Sequence, residues 1–361
     1  MSDAARTKDD PLEGLEIVPP ELPNAPVEPG WVILLRQARS IWRLTRVGTA
    51  FAAIGNAWFA VLWSRSAYPG ERAGAEMLDK PLALLLLYAG LSAIGLVAYG
   101  AVLNDLFDLK RDRTTRPDRP LASGEVSVEQ AVVLVAVTLL ISILGAALLG
   151  TLPVLITLGL AAALLVLSAA AKFVPAIGPV LLGVVFAGQM LVPNPQLVFL
   201  WPVWMVMTQA LFSALLFHGL GRRVPKISSR AVWSAVLGWG VLSAGLYALG
   251  NSRVGPDSSL AGFWVNWVPL TAAIGPALLV FAFLLVLWRK VAGAKSRPRA
   301  AEKAWRYGSQ WLILYHVAWC AGAGWYGAAA VLALLGVVAI LGTSVLRELY
   351  GAIDTPLLYR R

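Results

Sequence analysis

The sequence contains few of the side chains that form cross-links or hold transition metals. Of its 361 residues, one is a cysteine, Cys320, and two are histidines, His218 and His316. A single cysteine excludes an intrachain disulfide and a cysteine-based zinc site. The two histidines stand apart from each other in apolar runs, so we do not expect a histidine metal cluster.

Charged residues are also scarce. They make up 14% of the chain, whereas a typical soluble domain has about 25%. Hydrophobic residues make up 58%, and the mean hydropathy is +0.70. This composition argues against a cytosolic enzyme and a disordered scaffold, and it predicts one large membrane domain.

The N-terminal segment differs from the rest in composition. Residues 1–30 contain seven carboxylates and six prolines. A signal peptide has a basic start followed by an apolar core, and this segment has neither. We therefore predict a disordered acidic cytoplasmic tail over 1–30, followed by a transmembrane domain over 31–361.

The rest of the chain is divided into long apolar runs. About 20 apolar residues in a helix cross a bilayer, and nine runs approach this length, with a tenth that is either a separate span or the remainder of a broken ninth. The runs are 45–64, 82–103, 128–149, 152–172, 177–193, 199–218, 231–250, 266–288, 310–328 and 330–346. The sequence thus predicts an all-α polytopic membrane protein with nine to ten transmembrane helices.

The cations indicate the orientation. They concentrate before the first run, after the second, fourth, sixth and eighth, and so in alternate loops. Because cytoplasmic loops carry an excess of Lys and Arg, we predict a multi-pass protein of the cytoplasmic (inner) membrane with its N-terminus in the cytoplasm. The formal net charge of +10 then needs no nucleic acid partner.

One cluster of acids stands at the end of the second apolar run. Asp105, Asp108 and Asp112 are spaced i, i+3, i+7, and Asn104 precedes Asp108 by four residues. In a continuous helix all four would lie near one face. Acids are disfavoured at a helix C-terminus, and a divalent cation such as Mg²⁺ would relieve their repulsion. The alternative is a mixed-charge loop in which neighbouring Lys and Arg balance the acids.

The residues that follow favour a phosphate site. The segment 116–124 is a loop shaped by proline and glycine that contains Arg116 and Arg119, and guanidinium groups suit phosphate oxygens. The pattern Asn-Asp-x-x-Asp-x-x-x-Asp, followed by Arg-Pro-Leu-x-Ser-Gly, resembles the first motif of the UbiA superfamily of intramembrane prenyltransferases. The match is clear over 104–124, and the helix layout is compatible over about 40–345.

This resemblance implies a bundle of about nine helices around a central cavity, with Mg²⁺ as the cofactor. Its partners would be a prenyl diphosphate, a lipophilic acceptor and membrane lipid. The implied catalytic and metal-binding residues are Asp105, Asp108 and Asp112. The implied diphosphate-binding residues are Asn104, Arg119 and Lys172.

The sequence departs from the family at a second site. The family has a further aspartate motif at the end of its sixth helix, but no Asp or Glu occurs here between Glu129 and Asp257. Instead, Arg222, Arg223 and Lys226 follow the sixth run. Either these cations hold the diphosphate directly, or the protein no longer performs two-metal chemistry, or the loop is basic only because it is cytoplasmic.

The function predicted from these residues is Mg²⁺-dependent transfer of an isoprenoid group to an aromatic or other lipophilic acceptor. The alternative is a catalytically divergent relative that binds an isoprenoid or lipid and assists metabolite biosynthesis or export. Its divergence is similar to that of EboC-like members, which are linked to export clusters. A transporter is disfavoured, because the buried charges typical of transporter spans are missing and nearly all acids cluster at the membrane surface.

Overall fold

The chain forms a bundle of α-helices. The computed structural model describes residues 30–221, 226–254 and 264–354. The predicted tail over 1–30 therefore lies outside the described residues except for Gly30, which begins the first helix. The helices are α1 (Gly30–Leu44), α2 (Val47–Ser66), α3 (Ala75–Asp79), α4 (Leu82–Phe107), α5 (Leu109–Thr115), α6 (Val128–Ala147), α7 (Thr151–Ala169), α8 (Ile177–Leu191), α9 (Trp201–Leu220), α10 (Ser229–Arg253), α11 (Ile274–Ala292), α12 (Arg297–Gly322) and α13 (Tyr326–Asp354). Short 3₁₀ turns over Ala171–Phe173 and Leu270–Ala273 precede α8 and α11.

Each of the ten apolar runs corresponds mainly to one helix, which confirms the predicted all-α class. Within the part of the chain that the structure describes, seven helices are long and apolar enough to cross a membrane, or eight if α1 and α2, which meet at a bend of 55°, form one span. Among the described helices, α8 is short at 15 residues, and α12 begins with a polar half. Nine to ten crossings therefore stays a prediction.

The last apolar run forms a helix of its own. The chain turns between Gly322 and Tyr326, where Gly324 has a φ of 85°, a conformation that glycine adopts without steric cost. A Cβ on Gly336 would lie 3.4 Å from the side chain of Ile313. The helix α13 therefore runs back along α12 and does not continue it.

Small residues let α4 and α6 approach each other closely. A Cβ added to Gly95 would lie 2.6 Å from the backbone nitrogen of Ser142, and one added to Gly145 would lie 2.6 Å from that of Ser92. The Ser142 hydroxyl donates to the Ser92 carbonyl at 2.8 Å. Such contacts are typical of helices that associate in membranes, where small residues permit close backbone packing.

We expect Gly95→Ala and Gly145→Ala to destabilise the fold by at least about 1–3 kcal/mol, because the clashing atoms are backbone atoms that cannot rotate away. Thermal unfolding in detergent measures the change. Gly159→Ala in α7 is the matched control, since its Cβ would meet nothing within 4 Å. Equal melting temperatures for Gly95→Ala and Gly159→Ala would contradict this packing.

A buried carboxylate joins two loops at one end of the bundle. Glu71, in the loop after α2, is fully buried and accepts backbone hydrogen bonds from Val198, from Phe199 at 3.2 Å and from Arg72 at 3.1 Å. Burial raises the pKa of Glu71 from 4.5 to about 7, although these hydrogen bonds oppose the shift. The residue thus links the α2–α3 loop to the segment before α9.

We expect the raised pKa of Glu71 to make stability depend on pH. The folded state binds a proton more tightly than the unfolded state, so this contribution is complete below about pH 4.5 and disappears as pH rises through about 7. The contribution of this pKa shift to the free energy of unfolding is about 3 kcal/mol. Melting temperatures measured from pH 5 to 8 should fall for the wild type and fall less for Glu71→Gln. The exposed Glu302→Gln is the control, and parallel curves for Glu71→Gln and the wild type would contradict the prediction.

Candidate functional site

The predicted acid cluster lies where α4 ends. Asn104 and Asp105 belong to the last turn of α4, Asp108 lies between the helices, and Asp112 belongs to α5. The backbone nitrogen of Asp108 donates to the Asn104 carbonyl at 3.0 Å, and that of Asp112 donates to the Asp108 carbonyl at 2.8 Å. Because these bonds keep the helical i to i−4 spacing across the break, the four side chains stay near one another.

Two predicted cations contact these acids. The Arg119 Nη1 atom lies 3.0 Å from Asp105 Oδ1 and 2.6 Å from Asp112 Oδ2. The Lys172 ammonium lies 2.9 Å from Asp108 Oδ1 and donates to Asn104 Oδ1 at 3.2 Å. Lys172 follows α7 in the 3₁₀ turn, so the cluster joins the ends of two long helices.

Asn104 lies between two of the carboxylates. Its amide nitrogen is 3.4 Å from Asp105 Oδ1 and 3.3 Å from Asp108 Oδ2, while its oxygen faces Lys172. Asp105 and Asp112 are each 6% exposed. The structure therefore brings together six of the predicted site residues in a largely buried patch of opposite charges.

Arg46 is a third cation in the cluster and was not among the predicted site residues. Its Nη2 atom lies 3.0 Å from Asp105 Oδ1. Arg46 joins α1 to α2 in a left-handed conformation, with φ 52° and ψ 44°, which costs an L-residue roughly 1–2 kcal/mol. The only sequence signal was its place in Arg43-Leu-Thr-Arg46, which leads into the first apolar run.

The end of α1 holds the arginine-containing loop. Arg43 donates to the backbone carbonyl of Asp118 at 3.0 Å, and the Ser40 hydroxyl donates to Glu125 at 2.5 Å. Leu121 is buried beside Leu44 in a small apolar cluster. These contacts fix the loop so that Arg119 faces the carboxylates.

The surroundings of Asp112 in the cluster shift the pKa of its carboxyl group. Burial raises the pKa of Asp112 above its usual 3.8, and the neighbouring charges of Asp108 and Asp105 raise it further, while Arg119 lowers it. The negative charges of the three acids are matched by the positive charges of the three cations. A further cation would have to compete with Arg46, Arg119 and Lys172 for the same oxygens.

The remaining predicted cations do not join this arrangement. Arg222 and Arg223 lie outside the described residues. Lys226 is exposed, and within the described part of the chain it makes no ion pair with the three aspartates. Their predicted diphosphate contacts stay predictions.

The donor set suits Mg²⁺ together with a phosphate ligand. Carboxylate and amide oxygens are hard ligands, and Mg²⁺ is usually held by one or two carboxylates, water and substrate phosphates. Over residues 30–221, 226–254 and 264–354, no three acidic, His or Cys residues form a preformed metal cage. Asp105 and Asp108, bracketed by the Asn104 amide, fit a metal–phosphate complex better than a bare ion.

Comparison with known proteins places the site within a matched segment. The model of the UbiA prenyltransferase family matches residues 57–193. This segment includes the three aspartates, Asn104, Arg119 and Lys172, but not Arg46. This match, together with the structural likeness below, confirms the resemblance seen in the acid motif.

Two curated relatives are similar over short stretches. The chain is 39% identical over 56 residues to 2-acylphloroglucinol 4-prenyltransferase of Humulus lupulus. The aligned segment covers 16% of this chain and 14% of that protein. It is 41% identical over 46 residues to digeranylgeranylglyceryl phosphate synthase of Methanocaldococcus jannaschii. This segment covers 13% of this chain and 16% of that protein. The matched segments thus span about a sixth of each relative.

The fold resembles that of a solved structure. A structure described as digeranylgeranylglyceryl phosphate synthase aligns with a TM-score of 0.53 and 18% identity, covering 80% of this chain and 98% of the other. The helical arrangement is therefore shared over most of the bundle, although the sequences have diverged widely.

Proposed function

We propose that the protein is a membrane-embedded prenyltransferase that moves an isoprenoid group from a prenyl diphosphate to an aromatic or other lipophilic acceptor. The observation that carries this proposal is the buried cluster in which Asp105, Asp108 and Asp112 face Arg46, Arg119 and Lys172. The apolar helices that hold the cluster make the bilayer the natural source of both substrates.

The cluster contains groups for both halves of a metal–diphosphate complex. Bound Mg²⁺ would be held by Asp105 and Asp108, with Asp112 and Asn104 beside it, and would stabilise negative charge on the leaving diphosphate. Arg46, Arg119 and Lys172 neutralise the acids without substrate. When a diphosphate arrives, the same three cations would turn to its oxygens, where charge-assisted hydrogen bonds are strong.

The chemistry that these residues assist is dissociative. The bond between the allylic carbon and the diphosphate oxygen breaks, and its electron pair leaves with the diphosphate. The resulting allylic cation is attacked by the acceptor, which then loses a proton. Arg119 and Lys172 would stabilise the charge that develops on the leaving oxygen, and this stabilisation is strongest in a site from which water is excluded.

The names of the relatives agree with this reaction class. One is named a 2-acylphloroglucinol 4-prenyltransferase and the other a digeranylgeranylglyceryl phosphate synthase. The element common to both names is an isoprenoid group and not one particular acceptor. We propose that this element carries over, with the site facing the cytoplasm of an inner-membrane protein.

A second candidate function is isoprenoid or lipid binding without turnover. The observation in its favour is the long stretch without acids between Glu129 and Asp257, because the family's second aspartate motif falls there. In that case the cluster would bind a prenyl diphosphate and retain it.

One assay separates the two candidates. Protein in liposomes is given Mg²⁺, labelled prenyl diphosphates of several chain lengths and a panel of lipophilic acceptors. We expect Mg²⁺-dependent release of diphosphate together with a labelled prenylated product. Saturable binding of the donor without release, at every chain length, would refute the enzymatic proposal and support the second candidate.

A further inference from the structure

A cavity lies between α9 and α10 at the end of the bundle that carries Glu71. Its volume is about 360 Å³, within the range of about 300–1,000 Å³ that small-molecule pockets occupy. Aromatic and aliphatic side chains form most of its wall. The wall includes Phe199, Trp204, Trp239, Ala244, Tyr247 and Gly250.

This cavity is distant from the carboxylate cluster. Arg46, at the start of α2, contacts Asp105, whereas Glu71, just after the end of α2, accepts hydrogen bonds from Val198 and Phe199 in the cavity wall. The helix between them has 20 residues, which corresponds to about 30 Å. The cavity therefore belongs to the opposite side of the membrane-spanning bundle.

The polar groups in and beside the wall are already used within the protein. Trp204 Nε1 donates to Ser243 Oγ at 2.9 Å, and Ser243 Oγ donates to the Trp239 carbonyl at 2.8 Å. Trp239 Nε1 donates to Thr208 Oγ1 at 2.9 Å. These indole and hydroxyl groups thus turn their hydrogen bonds inward, and the aromatic faces are left for an apolar occupant.

The helix α10, which forms one wall of the cavity, faces lipid on its other side. This helix is long and apolar enough to span a membrane, and only 6% of its most apolar stretch is buried inside the protein. Leu237 and Val241 are exposed on it. A helix of this kind is surrounded by hydrocarbon chains. The chains nearest to the cavity are therefore those of membrane lipids.

A cation stands where the cavity meets the end of α10. Arg253 is the last residue of α10, beside Val254 and one turn from Gly250, both of which line the cavity. Its Nη1 atom donates to the Leu197 carbonyl at 2.6 Å. A guanidinium has five N–H groups in a planar fork that matches phosphate, so donors remain after this bond.

We propose that this cavity binds a membrane phospholipid, with one acyl chain among Trp204, Trp239 and Tyr247 and the phosphate at Arg253. The apolar wall, the lipid-facing helix α10 beside it and the cation at the end of that helix match the two halves of such a lipid. Glu71 supports the site from behind by fixing the backbone of Val198 and Phe199. The site is separate from the prenyl diphosphate site and does not depend on it.

The test fills the cavity without removing any of its contacts. Ala244→Phe adds a ring inside the cavity, while Gly245→Phe adds the same ring to the next residue, where the structure has open space. Native mass spectrometry of delipidated protein titrated with phosphatidylglycerol measures the binding. We expect Ala244→Phe to weaken the tightest lipid-binding event by at least about tenfold, and Gly245→Phe to bind as the wild type does.

A second arm tests the phosphate contact. The wild type should prefer phosphatidylglycerol to diacylglycerol with the same chains by about tenfold, as a charge-assisted hydrogen bond implies, and Arg253→Gln should abolish this preference. An unchanged preference in Arg253→Gln would overturn the role of Arg253. Unchanged binding in Ala244→Phe would overturn the proposal. Displacement of the lipid by excess prenyl diphosphate would reassign the cavity to the donor.

Discussion

Asp105→Asn and Asp108→Asn should each reduce prenyl transfer by about 100–1,000-fold, the loss typical of removing one preorganised electrostatic group. Asparagine keeps the volume and the polarity of the side chain, so a loss of activity reports the loss of charge. Asp105 contacts two cations, Arg46 and Arg119. Its neutralisation removes the charged partner of Arg46 and leaves Arg119 with Asp112 alone. Asp108 contacts Lys172, and Asp108→Asn would also remove a charged oxygen ligand of the bound Mg²⁺.

The measurement is labelled product formed in liposomes as a function of Mg²⁺ concentration. We expect the Mg²⁺ requirement of both variants to shift to higher concentrations, because one or two carboxylates usually supply the protein's share of a Mg²⁺ site. Asp118→Asn is the matched control: its side chain is exposed, and Arg43 contacts only its backbone carbonyl. If Asp105→Asn and Asp108→Asn kept wild-type turnover, the carboxylate cluster would not be the catalytic site.

The acid cluster was predictable because its members are close in sequence. Residues three, four and seven apart in a helix share a face by local geometry alone, and the break at Asp108 preserves the i to i−4 hydrogen bonds. The all-α class was predictable for a similar reason, since each apolar run supplies its own helix.

Other features depend on contacts between distant parts of the chain. Arg46 reaches Asp105 across 59 residues, and only because a left-handed turn follows α1. Glu71 accepts from Val198 across 127 residues. The cavity between α9 and α10 depends on helix packing. Apolar runs without periodicity do not specify which helices are neighbours, so hydropathy predicted none of these three features.

Arg119→Met should destabilise the protein when Mg²⁺ is absent and make it more responsive to Mg²⁺ than the wild type. Arg119 bridges Asp105 and Asp112 at 3.0 and 2.6 Å, and removal of one partner from a buried ion pair costs about 3–5 kcal/mol. Without the guanidinium, the pKa of Asp112 should rise further, because Arg119 is the group that lowers it.

The same substitution removes the group that competes with a metal for these oxygens. Added Mg²⁺ should therefore raise the melting temperature of Arg119→Met by more than that of the wild type, even though the variant has lost a diphosphate ligand and transfers little product. Arg119→Lys should lie between the two, since lysine keeps the charge but not the fork that reaches both carboxylates. The control is Arg113→Met, which removes an exposed cation from α5. A Mg²⁺ response equal to that of the wild type would mean that Arg119 and the metal do not share Asp105 and Asp112, and that the arginine is a permanent part of the fold.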